Sequence, residues 1–371
     1  MKIVVLTHLA SPYQVELFDA VAGTGECDLV VYYIVRTASH RFWIPPHPRH
    51  RYVVLEEGAS RLAQAKLDFA KADLAVFNFY NAVEAAALLS VRVRSGMPWV
   101  FWGERPGFIN ATLGRFWRLW CLRALHRSQT AIWGIGQLAV DAYRSEFGLE
   151  RSYENLPYCS NLSRLKATTR SRVRPGPVFV FSGSFTQRKG VDLLAEAFVR
   201  IAGRFPGARL RMAGAGPLEG SLRCALDSVS DRVEWMGFVQ WERLCEVYAA
   251  GDFFCMPSRH DGWGLVVPEA LAAGLPVIST KNTGAAVELV RTGENGWVVP
   301  ADDLTALEQA MSEAAQLGDA GWKRMSQKAV ESVACIDTER GADRFMSLSR
   351  KAVSEWAPGA KVLASCESCG S

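Results

Sequence analysis

The sequence predicts an α/β protein made of two successive domains, each built on a parallel sheet. Three observations lead there. At 371 residues the chain is too long for one core of ordinary size. Short, nearly uninterrupted apolar runs alternate with segments of helical periodicity, the pattern of strands covered by helices on both faces. That rhythm breaks once, at the polar, basic, proline-bearing stretch ATTRSRVRPGP (167–177), and then restarts.

In order, the first-half strands are IVVLT (3–7), DLVVYYI (28–34), DLAVFNF (73–79), PWVFW (98–102) and TAIWG (130–134). After the linker come VFVFSGS (178–184), RLRMAG (209–214), RVEWMG (232–237), DFFCMP (252–257), PVIST (276–280) and GWVVP (296–300), with helices such as VDLLAEAFVRIAGRF between them. Phe345, Leu348, Ala352 and Trp356 then share one stripe of a final helix, which must cover apolar surface. The expected division is a first domain over 1–166, a linker over 167–177, a second domain over 178–340, a helix over 341–358 and a tail over 359–371. A cleft between two such domains is the default ligand site.

Composition narrows the function classes. Hydrophobic content of 49% with 22% charged residues is that of a globular chain, not a disordered or collagenous one. A net charge of +4 is small for this length; it suits an anionic small ligand or an acidic membrane surface, and no nucleic-acid partner is expected. The nine cysteines form no framework. Cys366 and Cys369 make a lone CxxC without a second pair, so no metal site is expected and a reducing, cytoplasmic setting is. The apolar core of MKIVVLTHLASP is too short for a signal peptide, and no run approaches the roughly 18 apolar residues of a membrane-spanning helix. The expectation is a soluble protein, peripheral at most on the cytoplasmic membrane face.

The most informative stretch is PSRHDGWGLVVPEALAAG (257–274), which sets Asp261 and Glu269 eight positions apart around a glycine-flanked tryptophan. A buried strand precedes it, and Pro268 suits the first turn of a helix running from about Val267 to Ala273, capped by Gly274. Residues 258–266 therefore form a loop at the carboxyl end of a strand, where doubly wound sheets bind ligands. Gly262 and Gly264 permit close approach, and the N–H groups near Gly264, Leu265 and Val266 face a phosphate or a sugar hydroxyl. Acids beside an anion make sense when they accept hydrogen bonds from hydroxyls, and a nucleotide sugar offers both partners. The alternative makes Glu269 a helix-dipole partner and Asp261 a turn residue.

A second loop, in SGSFTQRKGVDLL (182–194), places Arg188 and Lys189 just before a helix. Two adjacent cations there neutralise a diphosphate and stabilise it as a leaving group, or else form a solvated surface pair. Cations, helix start and paired acids in corresponding loops of one domain are more specific than any one alone. MAGAGPLEG (212–220) reads GxGxxxG, not the dinucleotide fingerprint GxGxxG, although Glu234 stands 20 residues beyond Gly214.

RKG followed by DLLAEAF, MAGAGPLEG, VEWMGFV and PSRHDGWGLVVPEALAAGLPVI resembles, over about residues 178–300, the C-terminal half of family 4 of the retaining glycosyltransferases. Asp261 and Glu269 match that family's EX7E motif. The resemblance implies the GT-B fold: two Rossmann-like domains facing a cleft, with the last helix crossing back to the first. It implies catalytic roles for Arg188, Lys189 and Asp261, with Glu269 on the ribose hydroxyls. Asp261 with the backbone at Gly264 and Leu265 would hold the transferred sugar and its phosphate, and Phe238 and Val239 would border the base. Gly183, Ser184, Gly262, Trp263 and Val266 complete the expected donor site. Two departures stand out: Asp261 is one methylene shorter than the usual Glu, and Ser184 replaces a frequent Arg, leaving Arg188 nearby.

The first half resembles the family less. LTHLASPYQVELFDAVA (6–22) is similar to its opening strand–loop–helix, without the usual glycine pair, and brings His8 and Ser11 toward the expected cleft; a loop histidine is also often structural. In FWGERPG (101–107), Glu104 or Arg105 takes the place where relatives present a histidine, and Glu104 is alternatively a general base or a turn residue paired with Arg105. LGRFWRLWCLRALHR (113–127) interleaves arginines with Phe116, Trp117 and Trp120, the pattern of a membrane-surface helix and equally of an ordinary surface helix.

The function expected is that of a retaining, metal-independent glycosyltransferase. It needs no cofactor and moves a hexose-type sugar from a nucleoside-diphosphate sugar to a saccharide, a lipid-linked saccharide or a small-molecule hydroxyl in glycan biosynthesis. The rivals are a nucleotide-sugar epimerase, which needs no acceptor, and a non-catalytic nucleotide-sugar-binding subunit.

Overall fold

The computed structural model describes residues 1–36, 43–44, 46–107, 121–165, 176–249, 251–334 and 336–356. Residues 113–120, 167–175 and 359–371, which carry most of the arginine–tryptophan segment, most of the linker and the CxxC tail, lie outside them. The chain divides into two compact units. One gathers Met1–Arg41, Pro45–Cys159 and Thr338–Ser371; the other gathers Phe42–Ile44 and Ser160–Asp337.

The first unit holds a seven-stranded parallel sheet. Its strands are β1 (Lys2–Thr7), β2 (Asp28–Tyr33), β3 (Arg51–Val54), β4 (Leu74–Phe77), β5 (Trp99–Gly103), β6 (Ile132–Gly134) and β7 (Tyr153–Asn155), in the order β3-β2-β1-β4-β5-β6-β7. The order reverses at β1 and β4, the switch point of a doubly wound sheet. Central strands such as β4 are buried throughout, which is why they read as continuous apolar runs. The sequence pattern missed β3 and β7 because both are edges: RYVV is exposed or half-buried over three of its four residues, and YEN is half-buried along its length. In this unit the helix Thr338–Ser354 packs on the helix Pro12–Gly23. Phe345, fully buried, stands edge-on to Phe18, Trp102 and Trp133 at 5.6–6.2 Å between ring centroids. Beyond that helix, the Trp356 indole donates to Gly96 O at 2.9 Å.

The second unit holds a six-stranded parallel sheet: β8 (Val178–Ser182), β9 (Arg209–Ala213), β10 (Val233–Gly237), β11 (Phe253–Met256), β12 (Val277–Thr280) and β13 (Gly296–Val299), ordered β10-β9-β8-β11-β12-β13. Here too the order reverses beside the first strand, at β8 and β11. The main stretch of this unit begins at Ser160, before the linker predicted from composition. The turn Leu162–Leu165 explains that difference, because it packs on the helices Leu244–Ala249 and Val266–Ala272 of the same unit. The helix Val191–Arg204 buries seven apolar residues against the core made with β8, β9 and β11.

Candidate functional site

The loops leaving β8 and β11 meet at the carboxyl edge of the second sheet, at its switch point. After β8 the backbone runs through Gly183 and Ser184 into a single turn, Gln187–Lys189, and then the helix Val191–Arg204. Gly190 joins turn to helix in the left-handed region (φ +67°), and a Cβ there would lie 1.9 Å from Pro257 O. Only glycine lets the two loops approach this closely. Backbone bonds then stitch them together, Arg259 N–H donating to Arg188 O at 2.9 Å.

That seam brings Arg188, Lys189 and Asp261 together. The Lys189 ammonium bonds Asp261 Oδ2 directly, and Arg188 Nη1 lies 3.9 Å from the same oxygen while donating to His260 O at 3.1 Å. The Lys189 and Asp261 side chains are only 14% and 11% exposed, so the pair sits in reduced dielectric; Arg188, at 52%, lies on the solvent side. The Asp261 backbone is fixed as well: its N–H donates to Asn282 O at 3.0 Å and its carbonyl accepts from Gly284 N–H at 3.3 Å.

Gly264 has φ +88°, and a Cβ on it would press within 2.8 Å of the Thr283 methyl and 3.6 Å of the Asp261 carboxyl carbon, so the chain passes directly under the acid. Leu265 and Val266 follow, half-buried, and the helix Val266–Ala272 starts with its first N–H groups lacking intrahelical acceptors. Gly262 is buried and Trp263 is 2% exposed. The Trp263 ring lies against Gly284, so this side chain packs beneath the loop and offers a ligand only its backbone. Glu269, 6% exposed, accepts a hydrogen bond from the Tyr248 phenol at 3.0 Å. Phe238 is 40% exposed in the loop after β10, beside half-buried Val239; Ser184 is exposed and Gly183 half-buried, close to the Lys189 side chain.

Sequence reasoning passed over two residues in this site. Arg259 grips both carboxylate oxygens of Asp192, at 2.7 and 2.8 Å, bonds Gln187 O at 2.6 Å and pairs with Asp302, which clamps the two loops. These carboxylates hold its guanidinium pKa above the ordinary value. Arg259 lies inside the quoted stretch, but its partners are far along the chain and no spacing rule reveals them. Tyr248 is the other, hidden in an ordinary helical pattern. Glu234 makes a bidentate pair with Arg211 at 2.7 and 2.9 Å.

In the first unit His8, Ser11, Glu104 and Arg105 line one cavity of about 300 Å³, with Tyr13, Tyr80 and Tyr158. The His8 ring stacks on Phe79 at 4.6 Å. Behind them Thr7, Gln14 and Asn78 form a hydrogen-bonded floor, with Gln14 Nε2 donating to Asn78 Oδ1 at 2.6 Å. Burial, with the neighbouring charge of Glu104, pushes the Tyr158 phenol far above its ordinary pKa. Glu104 is exposed, and Arg105 Nη1 is buried with no hydrogen-bond partner. Of the arginine–tryptophan segment, the described part is a short helix, Arg123–His126, with Leu125 buried. Among the described residues, no group of three or more His, Cys, Asp or Glu could hold a metal ion, and no helix is long and apolar enough to cross a membrane.

Residues 176–316 match the family model described as Glycosyl transferases group 1. A GDP-mannose-dependent monoacylated alpha-(1-6)-phosphatidylinositol monomannoside mannosyltransferase of Corynebacterium glutamicum is 31% identical over 196 residues, 48% of this chain and 51% of that protein. A putative colanic acid biosynthesis glycosyltransferase, WcaL, of Salmonella typhimurium is 30% identical over 188 residues, 48% and 44% of the two chains. The chain spans about half the length of the curated relatives it matches. Among solved structures, sucrose-phosphate synthase from Thermosynechococcus elongatus aligns with TM-score 0.74 at 20% identity, covering 95% of this chain and 99% of that one. Anabaena Alr3699/HepE, in complex with UDP and glucose, aligns with TM-score 0.72 at 18% identity, covering 95% and 100%. The fold is thus the GT-B class: two Rossmann-like parallel-sheet domains, with the last helix packed on the first.

Proposed function

We propose that this protein is a retaining glycosyltransferase that takes its sugar from a nucleoside-diphosphate sugar. The observation that carries the reading is the seam between the two loops, where Lys189 and Arg188 converge on Asp261 above Gly264. Fixed cations beside the start of the helix Val191–Arg204 are suited to a diphosphate, and Asp261 to the hydroxyls of the sugar next to it. Glu269 takes the ribose, Phe238 and Val239 border the base, and the backbone from Gly262 to Val266 meets the phosphate and sugar, with Gly183 and Ser184 leaving room beside them.

In the reaction the bond from the sugar's anomeric carbon to the diphosphate oxygen breaks, and a bond from that carbon to the acceptor oxygen forms on the same face. The acceptor proton passes to the departing phosphate. The protein's part is positioning and charge. As the leaving oxygen gains charge, Lys189 exchanges Asp261 for the diphosphate and Arg188 adds a second cation, which supplies the stabilisation without a divalent ion.

The matched curated relatives named for GDP-mannose make that donor the first to test; a saccharide or lipid-linked saccharide is the acceptor class, in glycan biosynthesis. The setting is cytoplasmic, with residues 113–127 the segment for contact with a membrane face. The test is transfer from GDP-mannose, with UDP-glucose in parallel, to a panel of saccharide and lipid-linked acceptors in EDTA, with anomeric configuration read by NMR. Product of unchanged anomeric configuration under chelation supports the reading. Conversion of the donor without acceptor favours the epimerase, and an absolute requirement for a divalent ion removes the mechanism.

A further inference from the structure

Tyr248 is fully buried on the helix Leu244–Ala249, and its hydroxyl donates to Glu269 Oε2 at 3.0 Å. Ser182, the last residue of β8, stands beside the same phenol. A strand end and two helices thus meet at one phenol oxygen, and the ring is held edge-on to Phe254 at 5.8 Å. We propose that Tyr248 is the positioning residue for the Glu269 carboxylate, and that through this bond it sets a preference for ribonucleoside over deoxyribonucleoside diphosphates. The inference rests on the donor reading given above.

The physical argument is one of orientation. A glutamate side chain has three rotatable bonds and loses rotamer freedom when it is fixed. Two vicinal hydroxyls are read well only by a carboxylate whose plane is set beforehand, and a site built to bond a hydroxyl rejects the analogue lacking it most strongly. Tyr248 supplies that setting from behind. With no exposed surface, it acts through Glu269 and touches no ligand itself. Burial and the Glu269 charge push its phenol well above the ordinary value, so it remains a donor at every working pH. Helix propensity explains none of this: a buried leucine would serve the packing and remove this bond to the carboxylate.

The experiment measures Kd by calorimetry for GDP, UDP and their 2′-deoxy counterparts on the full chain, in the wild type, Tyr248→Phe and Ser182→Ala, with thermal melting of each. The expected wild-type preference for the ribonucleotide falls about tenfold in Tyr248→Phe, the scale of one hydrogen bond to a charged group. Affinity for the deoxynucleotide stays within about twofold, since it never used the oriented carboxylate fully. A merely structural tyrosine would weaken both nucleotides alike. An unchanged ratio in a folded Tyr248→Phe overturns the inference. If that variant does not fold, Ser182→Ala decides, with a narrowing of about twofold to threefold expected and an unchanged ratio overturning the proposal. Wild type that binds no ribonucleoside diphosphate overturns the donor reading itself; binding with an unaltered preference in the variants overturns only the role of Tyr248.

Discussion

Asp261→Asn should tighten the binding of a bare nucleoside diphosphate while abolishing sugar transfer. Without ligand, the Lys189 ammonium is bonded to Asp261, with Arg188 3.9 Å away, so a diphosphate must displace a carboxylate to reach its cation. The same carboxylate repels the incoming anion. At an effective dielectric of about 20 and a separation of about 6 Å, one unit of like charge costs about 3 kcal/mol. Salt near 0.15 M and the partial exposure of Arg188 reduce this to about half, equivalent to roughly tenfold in affinity. The amide keeps the shape of the side chain and removes its charge, so GDP or UDP binding should strengthen by about that factor. Transfer should fall by about a hundredfold or more, because the amide no longer accepts from the sugar hydroxyls as an anion does. Calorimetry and a transfer assay read the two effects. Weaker or unchanged nucleotide binding in a folded Asp261→Asn would refute the competition and place the diphosphate away from Lys189.

Three further outcomes follow from the packing. Gly190→Ala forces a Cβ onto Pro257 O at φ +67°, so the loops must separate; a stability loss of about 2–4 kcal/mol with collapse of nucleotide binding is expected, and a normal melting curve would contradict it. Phe345→Ala removes a fully buried ring from between Phe18, Trp102 and Trp133 and should cost the first unit about 3–5 kcal/mol in chemical denaturation, leaving nucleotide affinity in the second unchanged. His50 is buried between Asp19, 2.6 Å from Nδ1, and the Tyr33 hydroxyl, 3.0 Å from Nε2. Burial lowers its pKa below the usual value near 6.5 despite the aspartate. The unfolded chain therefore binds the proton first, and this part of the stability, complete above about pH 7, is lost as pH falls below the unfolded value. Melting temperatures from pH 7.5 to 5.5 should decline more steeply for wild type than for His50→Gln.

Much of the fold was legible because parallel strands buried on both faces cannot disguise themselves. β4, β8 and β11 are buried along their whole length and read directly as apolar runs. β3 and β7 escaped because edge strands carry mixed side chains over few residues. Near the site, Arg188, Lys189 and Asp261 were visible as loop residues at strand ends, and Glu269 as a residue of the helix that follows. The contacts that hold the two loops together were not, since they depend on Gly190 packing against Pro257 and on Arg259 reaching Asp192 and Asp302 across the chain. How the Trp263 ring is placed was not legible either, because Gly284, which it lies against, comes from a distant loop. Tyr248 lay beyond pattern reading, because a buried tyrosine in a helix is indistinguishable from core until its hydroxyl's partner is seen.

The central claim is that one unit grips a sugar diphosphate with the Lys189–Arg188 cations and orients it with Asp261 and Glu269. A structure of the protein with an intact nucleoside-diphosphate sugar tests this most directly. The account predicts the Lys189 ammonium moved from Asp261 onto a diphosphate oxygen, Asp261 on a sugar hydroxyl and Glu269 on the ribose. A diphosphate bound elsewhere, with the Lys189–Asp261 pair intact, would contradict it.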